Sequence, residues 1–509
     1  MPYRKMALLL LFVAFVVGVR FDIALCGTGA SRNEGPSIRL SNGLNIVSIR
    51  APAERSLGPA SLTAAGEPTV HPQPPLAGFQ PLVAITTSDR RKSDDFDWEH
   101  TLEDSYVGRP LNAPADENYV VGILDTGASV DLITKPYADL LGLVGPYLTE
   151  NEQEIGGAGG TMIAQITRPV GIFAAGLGAI GPDGRLDLSR VSGHTNVSAL
   201  VSPAIACGSE EVTAAIGNPF LAFRTTEIRV DQPRGIRMGD KTYVGPDIEI
   251  HSAYTPSATE YPRRIPVELG GVSPVTTAGY YAMFDPFDPL WEVIPTSPTA
   301  LTMFALGLPT GGALFTEMGV LQGEPSPLNT IQNLRVMLDT GAQASILHPN
   351  LAARLNLPIE PDFVTESCGI GGRVEVPGYY IDYVRINAWG GALEYSRVPF
   401  VILELQSPEG GPLDGVLGMN FFWNRNVVLE PSVTGGGFLH VSDPVPYAFV
   451  DLNFDELVDV ADFAIFASAW RTTPEDPAWN GHCDFYLDGV IDSRDFQAFA
   501  EAWGAALQP

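Results

Sequence analysis

Along most of the chain, apolar residues come in short bursts and not in helical stripes. From about Ser105 to Val441, runs of Val, Ile, Leu, Phe and Tyr are broken by Gly or Pro roughly every 8 to 12 residues, the rhythm of short strands joined by turns. This predicts a mainly β region with room only for short helices, such as Pro349 to Leu355. Three other patterns flank it. Met6 to Val19 is an uninterrupted apolar run behind Arg4 and Lys5, ended by Arg20 and followed by small residues at Ala24, Gly27, Gly29 and Ala30. That is the layout of a secretory signal peptide over residues 1–30. It is shorter than the ~20 apolar residues a membrane span needs, so no transmembrane span is expected after cleavage. Residues 31–104 are punctuated by Pro and Gly, are charged from Asp89 to Asp104, and hold only brief apolar stretches such as Leu44 to Ile49, which predicts a linker or leader. Residues 447–509 change register again: Phe and Trp recur at i, i+3 and i+7, giving two amphipathic helices with one apolar face each.

A search for internal repeats is the most informative step. Leu-Asp-Thr-Gly-Ala occurs at Leu124 to Ala128 and again at Leu338 to Ala342. Aligning Asp125 to Leu143 on Asp339 to Leu357 without gaps gives 7 identities in 19. Ile155-Gly156-Gly157 recurs as Ile370-Gly371-Gly372, and Ile216-Gly217 with Phe220 recurs as Leu417-Gly418 with Phe421. Three features in one order at nearly one spacing predict two homologous lobes, at residues 105–240 and 241–441, the second with insertions over about 241–330. Each Asp follows an apolar strand and precedes a Thr-Gly pair, where a buried strand breaks into a tight turn at Gly127 or Gly341. A duplicated β-protein with one such turn per lobe can bring Asp125 and Asp339 together on its pseudo-twofold axis. Two carboxylates that close share a proton, so one can act as base and the other as acid.

Composition narrows the partners. The 509 residues are 45% hydrophobic, enough for two or three domains, and carry a net charge of −29. Such an excess repels phosphate backbones and argues against nucleic acid. With four cysteines, a disulfide framework or cysteine-rich zinc site is excluded. If Cys26 leaves with the signal, Cys207, Cys368 and Cys483 allow at most one disulfide.

These motifs resemble the aspartic peptidase family, specifically its retropepsin-like branch, over roughly Ser105 to Val441. In the second lobe the resemblance rests on Leu338 to Ala342, Leu351 to Leu357, Gly369 to Gly372 and Asp414 to Phe421; in the first, Ala215 to Phe220 stands for the apolar-apolar-Gly element behind the catalytic loop. The resemblance implies two barrel-like β-lobes carrying both halves of the site in one chain. It implies Asp125 and Asp339 as catalytic residues, Thr126 and Thr340 as the residues interlocking the two loops, and Gly127 and Gly341 as loop support. Ile155, Gly156, Gly157, Gly159 and Gly160 look like the glycine-rich flap of retropepsins, and Ile370, Gly371 and Gly372 are its equivalent in lobe two. No Tyr lies in either glycine cluster, which departs from the pepsin pattern.

In the C-terminal block, Asp and Glu number 12 against 2 Arg. Asp451, Asn453, Asp455, Asp459 and Asp462 fall at positions 1, 3, 5, 9 and 12 of a calcium loop, with the Leu457 carbonyl at position 7. A second loop begins 33 residues later with Asp484, Asp488, Val490, Asp492 and Asp495. The helices that follow, Asp462 to Trp470 and Asp495 to Trp503, are identical at 6 of 9 positions. The pair resembles a type I dockerin, an EF-hand-like module, which implies Ca2+ as its ligand and a cohesin-like or cell-surface partner. Glu456 in place of the turn glycine and Tyr486 at the position-3 ligand are defects expected to weaken the two sites.

Taken together, the expected protein is a bacterial, secreted or envelope-exported (periplasmic), polysaccharide-associated aspartic endopeptidase. It hydrolyses polypeptide substrates with water activated between Asp125 and Asp339, needs no cofactor for catalysis, and carries a calcium-binding tail. The competing expectation is a secreted scaffold whose lobes hold a peptide or glycan without cleaving it.

Overall fold

Val120–Leu124 is apolar at every position and buried nearly throughout, which marks a strand covered on both faces. The rest of the first lobe is laid down around it. The computed structural model describes residues 38–39, 45–46, 74–88, 119–271, 312–445 and 452–506, apart from short interruptions. The chain divides into two compact units, Met1–Asn45 and Ile46–Pro509, and everything below belongs to the second. The expected signal peptide lies outside the described residues. Among the described residues, no helix is long and apolar enough to cross a membrane.

The first sheet contains β1 (Leu82–Ser88), β2 (Val120–Leu124), β3 (Leu132–Thr134), β4 (Leu148–Gly157), β5 (Gly160–Thr167), β6 (Val170–Gly176), β7 (Ser192–Val197), β8 (Leu200–Ser202) and β9 (Ala214–Ile216). Their order is β4-β5-β8-β3-β9-β2-β1-β6-β7. The second sheet contains β10 (Thr225–Met238), β11 (Lys241–His251), β12 (Arg263–Gly270), β13 (Ala313–Leu321), β14 (Thr330–Leu338), β15 (Ile346–Leu347), β16 (Phe363–Gly369), β17 (Gly372–Ile386), β18 (Leu393–Ile402), β19 (Gly415–Leu417), β20 (Val427–Glu430) and β21 (Gly437–Val441). Its order is β11-β10-β20-β21-β12-β13-β14-β19-β15-β18-β17-β16, and β13 also pairs with β17, which closes the middle of the sheet into a barrel.

The duplication read from the motifs is present in the register. In lobe one, β9 runs parallel to β2, with Ile216 beside Leu124, and antiparallel to β3, with Ala214 beside Ile133. In lobe two, β19 runs parallel to β14, with Leu417 beside Leu338, and antiparallel to β15, with Val416 beside Ile346. In each lobe a short strand is thus threaded between the strand that enters the Asp-Thr-Gly turn and the strand that leaves it. The backbones come so close that a Cβ at Gly217 would lie 2.4 Å from the Val130 carbonyl oxygen, and one at Gly418 would lie 2.6 Å from that of Ala344. Only glycine fits there. A short helix follows in both lobes, α1 (Lys135–Leu140) and α2 (Pro349–Arg354). The second is the helix expected at Pro349, capped by the His348 side chain accepting from the Asn350 amide at 3.1 Å. One apolar core runs from Val83 and Leu124 through Ile216 to Leu338, Leu417 and Phe421.

Two expected boundaries differ from the structure. Leu82–Ser88, inside the stretch read as linker or leader, is a core strand. It pairs antiparallel with β2 and β6 and buries Val83 and Ile85 completely. It holds the place in lobe one that β13 holds in lobe two, the antiparallel neighbour of the strand entering the turn. A seven-residue run isolated among prolines carries too little periodicity to register, because its partners are supplied from distant parts of the chain. The lobe boundary expected at residue 240 falls inside the β10–β11 hairpin, whose first strand already pairs with β20 of the second sheet.

In the C-terminal block, α3 (Val460–Ser468) and α4 (Ser493–Ala506) pack through the expected aromatic face, with Phe466 stacked on Phe499 at 5.4 Å and Phe463 5.9 Å from Phe499. Asp459 caps α3 in a capping box with Asp462.

If Leu82–Ser88 is a core strand, truncating Ile85 to alanine opens a cavity at a fully buried site. Ile85→Ala is expected to lower unfolding stability by about 2–4 kcal/mol in urea titrations. No measurable loss would return the strand to the leader.

Candidate active site

Each Asp-Thr-Gly turn is pinned from beneath by its threaded strand. The Asp125 amide donates to the Ile216 carbonyl at 2.9 Å, and the Asp339 amide donates to the Leu417 carbonyl at 3.1 Å. Within each loop the carboxylate turns back on its own backbone. Asp125 Oδ1 accepts from the amides of Gly127 and Ala128, both at 2.9 Å, and Asp339 Oδ1 accepts from Gly341 at 2.8 Å and Ala342 at 3.1 Å.

The two loops then lock across the lobes. Thr126 Oγ1 donates to the Leu338 carbonyl and Thr340 Oγ1 donates to the Leu124 carbonyl, both at 2.7 Å. Each hydroxyl also accepts from the other threonine's amide, at 3.1 Å and 3.0 Å. All four bonds are buried, so each is worth more than it would be at the surface. The exchange brings the carboxylates face to face over the glycines. A Cβ on Gly127 would lie 2.5 Å from Asp339 Cγ, and one on Gly341 would lie 2.6 Å from Asp125 Cγ.

Burial raises the pKa of both aspartates, and the Asp125 charge raises that of Asp339 further. A hydrogen bond between the two carboxyls ties their titrations together, so the proton belongs to the pair. Two carboxyls in this contact hold one proton as a pair, which is the arrangement acid/base chemistry on a bound water needs.

A second layer was not read from the sequence. Six residues after each aspartate stands a buried polar side chain that holds the glycine of the threaded element. Asp131 Oδ1 accepts from the Gly217 amide at 2.9 Å, and Ser345 Oγ accepts from the Gly418 amide at 2.9 Å. Ser345 Oγ in turn donates to Asn420 Oδ1 at 2.7 Å. Among the described residues Asp131 Oδ2 has no hydrogen-bond partner, and burial pushes the Asp131 carboxyl up to about 7. Asn218 Nδ2 donates to the carbonyls of Thr126 at 2.7 Å and Gly312 at 2.8 Å, while Asn420 Nδ2 donates to that of Pro75 at 3.3 Å. Gly78 joins the same layer, donating its amide to the Gln343 carbonyl at 2.8 Å and accepting from Gln343 Nε2 at 3.2 Å. The segment leading into each lobe is therefore tied to the loop of the other. The ungapped alignment of Asp125 to Leu143 on Asp339 to Leu357 puts Asp131 opposite Ser345, and that shared offset was the signal available.

The two glycine clusters are the tips of the β4–β5 and β16–β17 hairpins, and these tips meet. The Gly159 amide donates to the Ile370 carbonyl at 2.9 Å. Gly157 lies against Ile370, and Gly371 against Gly159 and Gly160, with φ values of +125° at Gly160, +90° at Gly371 and +108° at Gly372. Ile370 reaches across to pack on the lobe-one cluster of Val130, Leu132, Ile155 and Ala215. Gly156 faces Thr161 within its own hairpin.

Of the expected calcium-loop residues, Asp451, Asn453, Asp455, Leu457 and Asp488 lie outside the described residues. Asp462 and Asp495 are fully buried and Asp484 nearly so. Asp462 closes its loop from both sides, accepting from the Leu452 amide at 2.7 Å and the Asp459 amide at 2.8 Å. Asp495 accepts from the Asp492 amide at 2.8 Å. Val490 is exposed beside them. At both closing positions the buried carboxylate is held by backbone amides of its own segment. Cys368 is disulfide-bonded and Cys483 is a buried free thiol.

Comparison with known proteins bears on the second lobe. Residues 328–421 match the family model described as "Aspartyl protease". No curated protein matches. Among solved structures, an aspartic proteinase from Irpex lacteus aligns at 9% identity and a TM-score of 0.37, covering 73% of this chain and 99% of that one.

A buried carboxyl with a raised pKa binds its proton more tightly folded than unfolded. Stability is then complete below the unfolded pKa of 3.8 and is lost as pH rises toward about 7. Asp131→Asn, which keeps an acceptor for Gly217, is expected to remove about 1.4 kcal/mol of this decline per pH unit between roughly pH 4 and 7. Urea midpoints of both proteins across that range check it. An unchanged slope would mean that Asp131 stays ionised in the fold.

Proposed function

We propose that this chain is a secreted aspartic endopeptidase that hydrolyses polypeptides with a water held between Asp125 and Asp339. The observation that carries the reading is the reciprocal threonine exchange, which holds the two carboxyls over each other's glycines at the junction of the lobes. The family match over the second lobe supports it, and the apolar run from Met6 to Val19 supports export.

In this mechanism the ionised Asp125 takes a proton from the water as its oxygen attacks the peptide carbonyl carbon. Asp339 gives its proton to the carbonyl oxygen. The C–N bond of the resulting gem-diol then breaks as the amide nitrogen receives the proton now on Asp125, and a diol proton returns to Asp339, regenerating the shared-proton state. The joined hairpin tips act as two flaps and must part to admit an extended peptide. Because the working state holds one proton, activity falls on the alkaline side as the pair loses it and on the acid side as a second is added.

Asp125→Asn and Asp339→Asn are each expected to abolish cleavage of an unfolded protein such as casein while leaving the thermal transition intact, and pepstatin is expected to inhibit the wild type. Retention of most of the activity by either variant overturns the dyad.

The tail is proposed to bind Ca2+ through the loops Asp451 to Asp462 and Asp484 to Asp495 and to attach the enzyme to a cohesin-like or cell-surface partner. Calorimetric titration of the full chain is expected to show calcium binding that Asp462→Asn with Asp495→Asn removes without loss of peptidase activity. An absence of heat at millimolar calcium leaves an acidic helical tail with no metal role.

A further inference from the structure

Away from the paired aspartates, the β10–β11 hairpin carries a second group of convergent side chains. Glu227 and Glu249 stand directly opposite each other in its register, and His251 lies two residues beyond Glu249 on the same face. Two carboxylates at facing positions of an antiparallel pair repel each other. Here both are turned toward a single imidazole nitrogen. His251 Nε2 lies 3.9 Å from Glu227 Oε2 and 3.6 Å from Glu249 Oε2, and it is withdrawn from solvent with no hydrogen-bond partner among the described residues. Each carboxylate meanwhile uses its other oxygen for the protein. Glu227 Oε1 accepts from the Tyr261 hydroxyl and faces Arg229 at 3.5 Å, and Glu249 Oε1 accepts from Arg190 at 3.2 Å.

We propose that Glu227, Glu249 and His251 form a binding site for one divalent transition-metal ion of the zinc type. One ligand atom from each of Glu227, Glu249 and His251 lies within 4.8 Å of the other two. Bonds of about 2.0–2.1 Å in tetrahedral geometry put ligand atoms about 3.3 Å apart, so the carboxylate oxygens at 3.6 Å and 3.9 Å from His251 Nε2 would draw in by about 0.3 and 0.6 Å to close on an ion. An imidazole with two carboxylates suits zinc and its neighbours better than calcium or magnesium, which prefer oxygen throughout. Tyr261, Arg229 and Arg190 orient the ligands by holding the carboxylate oxygens that face away from His251.

The surrounding charges agree. The ion-pair network around these ligands contains five carboxylates (Glu227, Asp231, Asp247, Glu249 and Glu260) against three guanidinium groups (Arg190, Arg229 and Arg234). With His251 neutral, as a metal requires, two negative charges are left over, the charge one divalent ion supplies. Glu227 is buried, whereas Glu249 is exposed and His251 half-buried, so the site lies at the edge of the hairpin and not in the core.

The test uses Co2+ as the probe on the full-length protein, because tetrahedral cobalt with nitrogen and oxygen ligands absorbs in the visible and an all-oxygen loop does so only weakly. One equivalent of Co2+ is expected to develop this absorption, and Zn2+ to displace it. His251→Ala and Glu249→Gln are expected to abolish the band, and Tyr261→Phe to weaken binding by about 10–100-fold. Asp462→Asn with Asp495→Asn, in the C-terminal loops, is expected to leave it unchanged. Glu249 is exposed, so its variant keeps the fold, which far-UV circular dichroism checks. A wild type without the band, or a band that survives both His251→Ala and Glu249→Gln, overturns the site.

Discussion

The structure depends on four buried hydrogen bonds between two threonines and the loops that face them. Thr126 and Thr340 each donate a hydroxyl to the carbonyl that precedes the other lobe's aspartate and accept the other's amide. A polar group that deep is costly unless it is satisfied, and each threonine is satisfied only when both lobes are in place. This constraint sets the positions of Asp125 and Asp339, which have little freedom of their own because their backbones are held by Ile216 and Leu417 and their Oδ1 atoms by their own loops. The raised pKa values follow from this placement, which sets the two carboxyls against each other at the junction of the lobes.

The parts legible in the sequence were those that every copy of this turn must repeat. Asp-Thr-Gly-Ala and the later Ile-Gly and Leu-Gly pairs are fixed by glycines at which an added Cβ would lie only 2.4 to 2.6 Å from neighbouring atoms, so both lobes kept the same letters. The aromatic face of the last two helices was legible for a similar reason, a period that survives because Phe463, Phe466, Phe496 and Phe499 must meet. What escaped was set by pairing across long stretches of chain. Leu82–Ser88 reads as a fragment of linker until β2 and β6 close on it. The layer beneath the loops solves one problem with different residues, Asp131 in one lobe and Ser345 in the other, so identity could not reveal it. Glu227 and Glu249 became neighbours only through the register of a hairpin that the expected lobe boundary had cut.

The acidic excess of the chain is therefore not evenly disposed. At the lobe junction two carboxyls are forced together and answered by a shared proton. At Asp131 a carboxyl is buried with one oxygen unpartnered and answered by a proton of its own up to about pH 7. On the β10–β11 hairpin, three guanidinium groups face five carboxylates. In each place the local structure determines whether a proton, an arginine or a cation balances the charge, which is why the net charge alone could argue against nucleic acid but identify nothing further.

The central claim is that Asp125 and Asp339 share one proton at pH values where isolated aspartates have lost theirs. A carbon-13 carboxyl titration of aspartate-labelled protein, with Asp131→Asn to remove the other buried proton, measures this directly. The account predicts one aspartate carboxyl signal that remains in its protonated position above pH 5 and moves only when the pair loses its proton, and that is absent from Asp339→Asn. If every aspartate in the protein has ionised by pH 5, the two carboxyls do not form a pair and the account is wrong.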